Sequence, residues 1–252
     1  MRVTKFLFAT LIASITLAGA SLVGPRPSEA RADNGVLGDE PVLLELFTSQ
    51  GCSSCPPADR LAAKLATNPD LVMISRPVDY WDRLGWKDTF ASPENTALQR
   101  SYARRGLGGY NGVYTPQTVV NGVWGEVGSN ERAIRRFANE AAKTNRAAIR
   151  VRDLNDGGYG IGLAGSATND SELVLFGVSS RETVAIGRGE NRGRRITYTN
   201  VLIGEKRIAQ WDGGSASHRL GAEGLRMKGA DRYALVLRES RGGRVLAARW
   251  LN

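Results

Sequence analysis

Histidine is nearly missing from this 252-residue chain, and His218 stands alone. One imidazole argues against a Ser-His-Asp hydrolase, which needs a histidine base between nucleophile and acid, and against a histidine-built metal centre. No phosphate-cradling glycine loop is present, and Gly187-Arg188-Gly189-Glu190-Asn191-Arg192-Gly193 lacks dinucleotide-binding spacing. No organic cofactor is implied. Past residue 32, no run is apolar enough to cross a membrane. Cysteine is scarce too, at two residues, so a secreted scaffold stapled by several disulfides is excluded. Glycine (30) and proline (9) stand at ordinary globular levels, which argues against wholesale disorder.

The two cysteines lie three apart in Cys52-Ser53-Ser54-Cys55, after the apolar run Val42–Phe47 and before a helical pattern. At such a junction two sulfurs come within bonding reach, and the positive end of a helix favours a thiolate. By itself the motif leaves redox work, half a metal site, an inert bridge and coincidence open. As a staple it does little, because closing a four-residue loop contributes only about 2 kcal/mol.

The N-terminus begins with Arg2 and Lys5, runs uncharged from Phe6 to Val23, and carries small residues at Ala18-Gly19-Ala20 and Ala30-Arg31-Ala32. This predicts a cleaved secretory signal and leader over residues 1–32, with an uncleaved anchor as the rival. The expected location is the periplasm or outside the cell, where a disulfide persists, with no stable membrane insertion once the signal is removed.

Net charge is +9, with the basic excess in residues 146–252. The arginines are interleaved with acids, and no nucleic-acid partner is expected of an exported chain. Arg188, Arg192, Arg194 and Arg195 form the tightest cluster and the one candidate for an anionic partner.

From residue 40 the patterns alternate. Val42–Phe47 and Leu71–Ser75 read as strands, Asp59–Thr67 as a helix, and Ser92-Pro93-Glu94 as a capped start of a helix to about Arg105. Tyr114–Val120 and Val123–Val127 flank Asn121-Gly122, a strong hairpin signal, and Ser129 is expected to cap a helix from Glu131 to about Lys143. The order β-α-β-α-β-β-α, with Cys52 and Cys55 at the first strand-helix turn, predicts an α/β thioredoxin-like domain over 40–145. In that arrangement Thr115-Pro116 is cis and faces the dithiol. Short β-type runs from Ala148–Val151 to Val245–Trp250 predict a separate β-rich, sandwich-like domain over 146–252.

Three segments, Glu45–Asp59, Val78–Asp88 and Val113–Gln117, resemble the signature segments of an exported family designated DUF1223, as do Gly189–Arg194 and Trp211-Asp212-Gly213. The resemblance covers nearly all of the mature chain. It implies a thioredoxin-like fold with a C-terminal β extension and Cys52 and Cys55 as the dithiol, in a family of unestablished activity. Pro77 stands where the family has histidine, which removes any base or metal role there.

Within that frame Cys52, at the exposed end of a helix, is the expected nucleophile and Cys55 the resolving thiol. Glu45 is read either as a buried acid relaying a proton to Cys55 or as a charge on the solvent face of an edge strand. Tyr80, Trp81, Trp86 and Tyr114 either line an apolar groove for a peptide or are core. Asp79, Asp82, Lys87 and Asp88 are read as loop hydrogen-bonders. The expected partners are protein or peptide thiols and disulfides. Copper(I) held by two thiolates and a non-enzymatic binding role are the alternatives.

Overall fold

The computed structural model describes residues 40–109, 112–167 and 169–251. The expected signal and leader, residues 1–32, lie outside the described residues. Eleven strands and three α-helices follow in the order β1 (Val42–Thr48), α1 (Pro56–Leu65), β2 (Leu71–Pro77), α2 (Pro93–Tyr102), β3 (Gln117–Val120), β4 (Trp124–Val127), α3 (Glu131–Ala142), β5 (Ala147–Asp153), β6 (Tyr159–Gly165), β7 (Ser171–Ala185), β8 (Arg195–Trp211), β9 (Ala216–Leu220), β10 (Arg232–Glu239) and β11 (Val245–Leu251).

Local chemistry explains most of the boundaries. Helix α1 starts three residues earlier than the pattern suggested, because Cys55 is its N-cap and Pro56 and Pro57 fill the first turn, where a missing N–H costs nothing. Ser92 caps α2 by accepting from the Asn95 amide at 3.1 Å. The cap of α3 is Asn130 rather than Ser129, its side-chain oxygen accepting from the Ala133 amide at 3.3 Å. Asn121 and Gly122 both take positive φ, 45° and 65°, as the central residues of a turn in which the Val123 amide donates to the Val120 carbonyl at 2.9 Å.

The thioredoxin-like domain with a separate sandwich-like domain is corrected by the sheet. One mixed, eight-stranded sheet runs β11-β10-β7-β8-β2-β1-β3-β4 and draws strands from both halves of the chain, with β5-β6-β9 as a second, three-stranded sheet. The described residues form one compact unit. The seam is β2 against β8, parallel, with Ser75 opposite Val201 as the only backbone register pair. Side chains complete it: the Ser75 hydroxyl donates to the Thr199 carbonyl at 2.8 Å, and Asn200 Nδ2 donates to the Met73 carbonyl at 2.9 Å. A joint made by two polar side chains more than a hundred residues away leaves no periodic trace in sequence. The expected strands Arg195–Ile203 and Lys206–Ile208 are also one strand, β8, because β7 pairs along its whole length and absorbs two register shifts.

Strand β1 lies inside the sheet, between β2 and β3. Its alternation sends Val42, Leu44 and Leu46 into a core with Leu61, Leu65 and Ile134 of α1 and α3. Leu43 and Phe47 face the other way, into clusters shared with Phe176 and Val236 or with Tyr102 and Val119. Among the described residues no helix is long and apolar enough to cross a membrane.

Candidate functional site

The site forms where β1 ends and α1 begins. Cys52 and Cys55 are joined as a disulfide with a Cα–Cα separation of 5.4 Å. The loop is folded by its own backbone: the Cys52 amide donates to the Ser49 carbonyl and the Cys55 amide to the Cys52 carbonyl, each at 3.2 Å. The Ser54 hydroxyl lies 3.3 Å from Cys52 Sγ and 3.4 Å from the Thr115 carbonyl oxygen. The Thr115–Pro116 bond is cis, and Trp81 Nε1 donates to Thr115 Oγ1 at 2.7 Å. Two distant segments are thereby held against the disulfide.

Cys52 is not at an exposed end. Both cysteines are fully buried while Ser53 and Ser54 between them are open. The cover is the turn between β7 and β8. Buried Asn191 donates through Nδ2 to the carbonyls of Gln50 (2.9 Å) and Cys52 (2.8 Å). Glu190 Oε2 accepts from the Ser53 amide at 2.9 Å. Gln50 ties the loop to the aromatic segment: its amide donates to Asp88 Oδ2 at 2.7 Å, and its Oε1 accepts from Trp86 Nε1 at 2.8 Å. Gly187 and Gly189 lie against the Trp86 side chain, and a Cβ at Gly187 would meet the ring at 3.1 Å.

Asp59 lies one helical turn after Cys55, its amide donating to the Cys55 carbonyl at 3.1 Å. Thr48 Oγ1 donates to Asp59 Oδ1 at 2.7 Å, and Oδ2 is buried with no partner among the described residues. Burial pushes the Asp59 carboxyl up to about 7; the Thr48 hydrogen bond works against this and the charge of Asp88 adds to it. Tyr198 is buried on the same side, its hydroxyl without a hydrogen-bond partner among the described residues, and burial together with Asp59 and Asp88 raises its phenol.

Glu45 meets neither expectation. It is buried in an interior strand, so it does not sit on an edge, and it faces away from α1. Arg76 Nε donates to Glu45 Oε1 at 2.6 Å, and the Tyr102 hydroxyl donates to Oε2 at 2.5 Å. Its hydrogen bonds run to Arg76 and Tyr102, on the side away from the cysteine loop. The four aromatics divide. Tyr80 and Trp81 pack on the Phe47–Tyr102 cluster, Trp86 packs on Ile186, Ile196 and Tyr198, and Tyr114 lies half-buried against Gly109. Asp79, Asp82 and Asp88 do order their loop, accepting from Thr96 Oγ1, the Asp88 amide and the Gln50 amide. His218 lies on β9, in the second sheet. Among the described residues no group of three or more His, Cys, Asp or Glu side chains could hold a metal ion.

Gln50, Asp59, Glu190, Asn191 and Tyr198 are the site residues that sequence reasoning missed. Asp59 had a readable signal: an acid four residues after Cys55 and three before Ala62 falls on the buried stripe of α1. Asn191 lay in the segment Gly189–Arg194 that resembles the family's, but its contacts are 139 and 141 residues away, so nothing local placed it at the site.

The chain belongs to the family described as Protein of unknown function (DUF1223), which matches residues 43–238. No curated protein sequence matches it. It is similar to a structural genomics crystal structure of a protein from Agrobacterium tumefaciens, with 30% identity and a TM-score of 0.70 over 83% of this chain and 93% of that one. HBP35 of Porphyromonas gingivalis is similar in fold, with 12% identity and a TM-score of 0.53 over 84% of this chain and 75% of that one.

Proposed function

We propose that this DUF1223 protein exchanges electrons with protein thiols through Cys52 and Cys55, in an oxidising compartment reached through its N-terminal segment. The observation that carries the reading is the disulfide itself: a ring closed within residues 52–55, at the N-cap of a helix, beside a buried acid that titrates near neutrality. A ring so small adds only about 2 kcal/mol as a staple, so stability alone is a weak reason for it.

In the step we envisage, a partner thiolate attacks Cys52 Sγ, the Cys52–Cys55 bond breaks, and the Cys55 sulfur leaves with the electron pair. Asp59, protonated near neutrality, supplies the proton that Cys55 takes up. A second partner thiolate then attacks the partner sulfur of the mixed disulfide and releases Cys52. Two electrons have passed from a partner dithiol to the cysteine pair; the reverse sequence reduces a partner disulfide, with Cys52 attacking and Cys55 resolving. Thr115 and Pro116 supply the main-chain edge against which the partner lies, with Trp81, bonded to Thr115, beside it. Because both sulfurs are covered, the turn carrying Glu190 and Asn191 must lift before either is reached.

The test is the reduction potential in glutathione buffers, read by mass after alkylation, with Cys52→Ser beside the natural chain. A reversible two-thiol couple between about −120 and −270 mV supports exchange. A pair that stays oxidised far below that range is a structural bridge, and stoichiometric copper(I) retained by the reduced pair marks a metal carrier; either result ends the exchange reading.

A further inference from the structure

Several arginines of this protein face acids. Arg76 and Arg238 meet Glu205, Arg135 meets Glu131, Arg219 meets Asp156 and Arg226 meets Glu223. The surface beside the disulfide is different. Ser53, Pro56 and Pro57 open onto a groove of about 840 Å³ whose charged lining is Arg60 of α1 with Arg181, Arg194 and Arg195 of the β7–β8 hairpin, and it contains no carboxylate. All four arginines are exposed, and none has an ion-pair partner among the described residues.

The two acids of the hairpin end are already engaged. Glu182 accepts from the Ser179 hydroxyl at 2.6 Å, and Glu190 accepts from the Ser53 amide. Arg188 and Arg192, exposed on the turn itself, extend the same sign of charge around the cover of the disulfide. Arg194 donates to Asn191 Oδ1 at 3.0 Å, and none of the four pairs with a counter-charge among the described residues; several such guanidiniums around one concavity repel each other and focus a positive field, an arrangement that favours carboxylates through forked hydrogen bonds.

We propose that this groove binds an acidic polypeptide segment flanking the reacting cysteine of the partner. The inference rests on the exchange reading for the thiol and on the groove alone for the charge. The groove begins at Ser53, so a segment lying in it brings neighbouring residues of the same chain to the Cys52–Cys55 loop. Its carboxylates also compete with Glu190 for the positive end of the loop, which couples docking to lifting of the cover.

The test uses the full chain and a fluorescent, glutamate-rich peptide around one S-methylated cysteine, with a lysine-rich counterpart, read by anisotropy. The expected result is binding of the glutamate peptide only, lost between about 20 and 500 mM salt. Arg181→Gln with Arg195→Gln should weaken it about tenfold while leaving the melting temperature in place. Equal affinity for both peptides, salt-independent binding, or an undiminished double variant overturns the proposal. So does binding of phosphatidylglycerol vesicles or a single-stranded oligonucleotide in place of the peptide. Should the double variant fold poorly, the peptide pair and the salt series on the natural chain decide. S-methylation blocks exchange, so a bound glutamate peptide together with a failed redox couple would retain the groove and discard the exchange reading.

Discussion

The two faces of the central sheet bury charge in opposite ways. On the α2 face, Arg76 bridges Glu45 and Glu205, and Glu205 also meets Arg238 at 2.8 Å, so each buried charge has a counter-charge. On the α1 face, Asp59 is buried without a cation in hydrogen-bond contact, and its Oδ2 and the Tyr198 hydroxyl lack partners among the described residues. A closed network of ion pairs holds its protonation state and sets geometry, whereas a lone buried acid releases and takes up a proton near neutral pH. Only the second kind adjoins the disulfide.

The largest effect that would break this contrast comes from the closed network. Arg76→Met strands buried Glu45 and leaves Glu205 with Arg238 alone, and a loss of about 3–5 kcal/mol is expected in urea unfolding at neutral pH. The same face should fail in acid. Burial alone would raise the Glu205 carboxyl, but Arg76 and Arg238 outweigh it and hold it at about 2. Its stabilisation is therefore present above its ordinary 4.5 and lost as pH falls toward 2, reduced by the solvent that reaches this side chain.

Asp59 has the opposite sign. With its folded pKa raised from 3.8 to about 7, the folded protein holds the proton longer than the unfolded chain. Stability should then fall between about pH 4 and 7 by up to about 4 kcal/mol and level off above. Asp59→Asn should remove that slope and stabilise the protein above pH 7, read from urea midpoints across the range; an unchanged slope would mean that Asp59 is not the titrating group. In the exchange assay the same variant should shift the pH profile of the rate, and Glu45→Gln should leave it in place.

Smaller effects sharpen the comparison at the disulfide. Cys52→Ser should cost no more than about 2 kcal/mol in unfolding, because the ring closed is so short. Asn191→Ala removes two buried hydrogen bonds from the cover, and reduction by dithiothreitol should speed up about tenfold as the sulfurs become reachable. An unchanged rate would show that another motion exposes them.

Much of the local structure was legible because its causes are local. Paired prolines after Cys55, a serine before Pro93 and Asn121-Gly122 each impose a backbone shape on their own neighbours, and the elements formed where those residues stand. The place of the cysteine pair at a strand-helix turn was legible for the same reason, while its state, a disulfide, came from the structure. Glu45 was misread because alternation along β1 reveals that two faces exist but not which one α1 covers. Asn191 and Glu190 stood in a segment that resembles the family's, but what they contact was invisible because their partners come from a distant part of the chain.

From the sequence alone came the order of helices and strands over residues 40–145 and the place of the cysteine pair at the first strand-helix turn, since each follows from neighbours within a few residues or from the order of elements. Tertiary structure alone decided that both halves share one sheet, that the β7–β8 turn closes over Cys52, and that Asp59 rather than Glu45 lies beside the cysteines. Those outcomes depend on non-local pairing, such as Ser75 beside Val201, whose energy exists only once the chain has brought distant surfaces together.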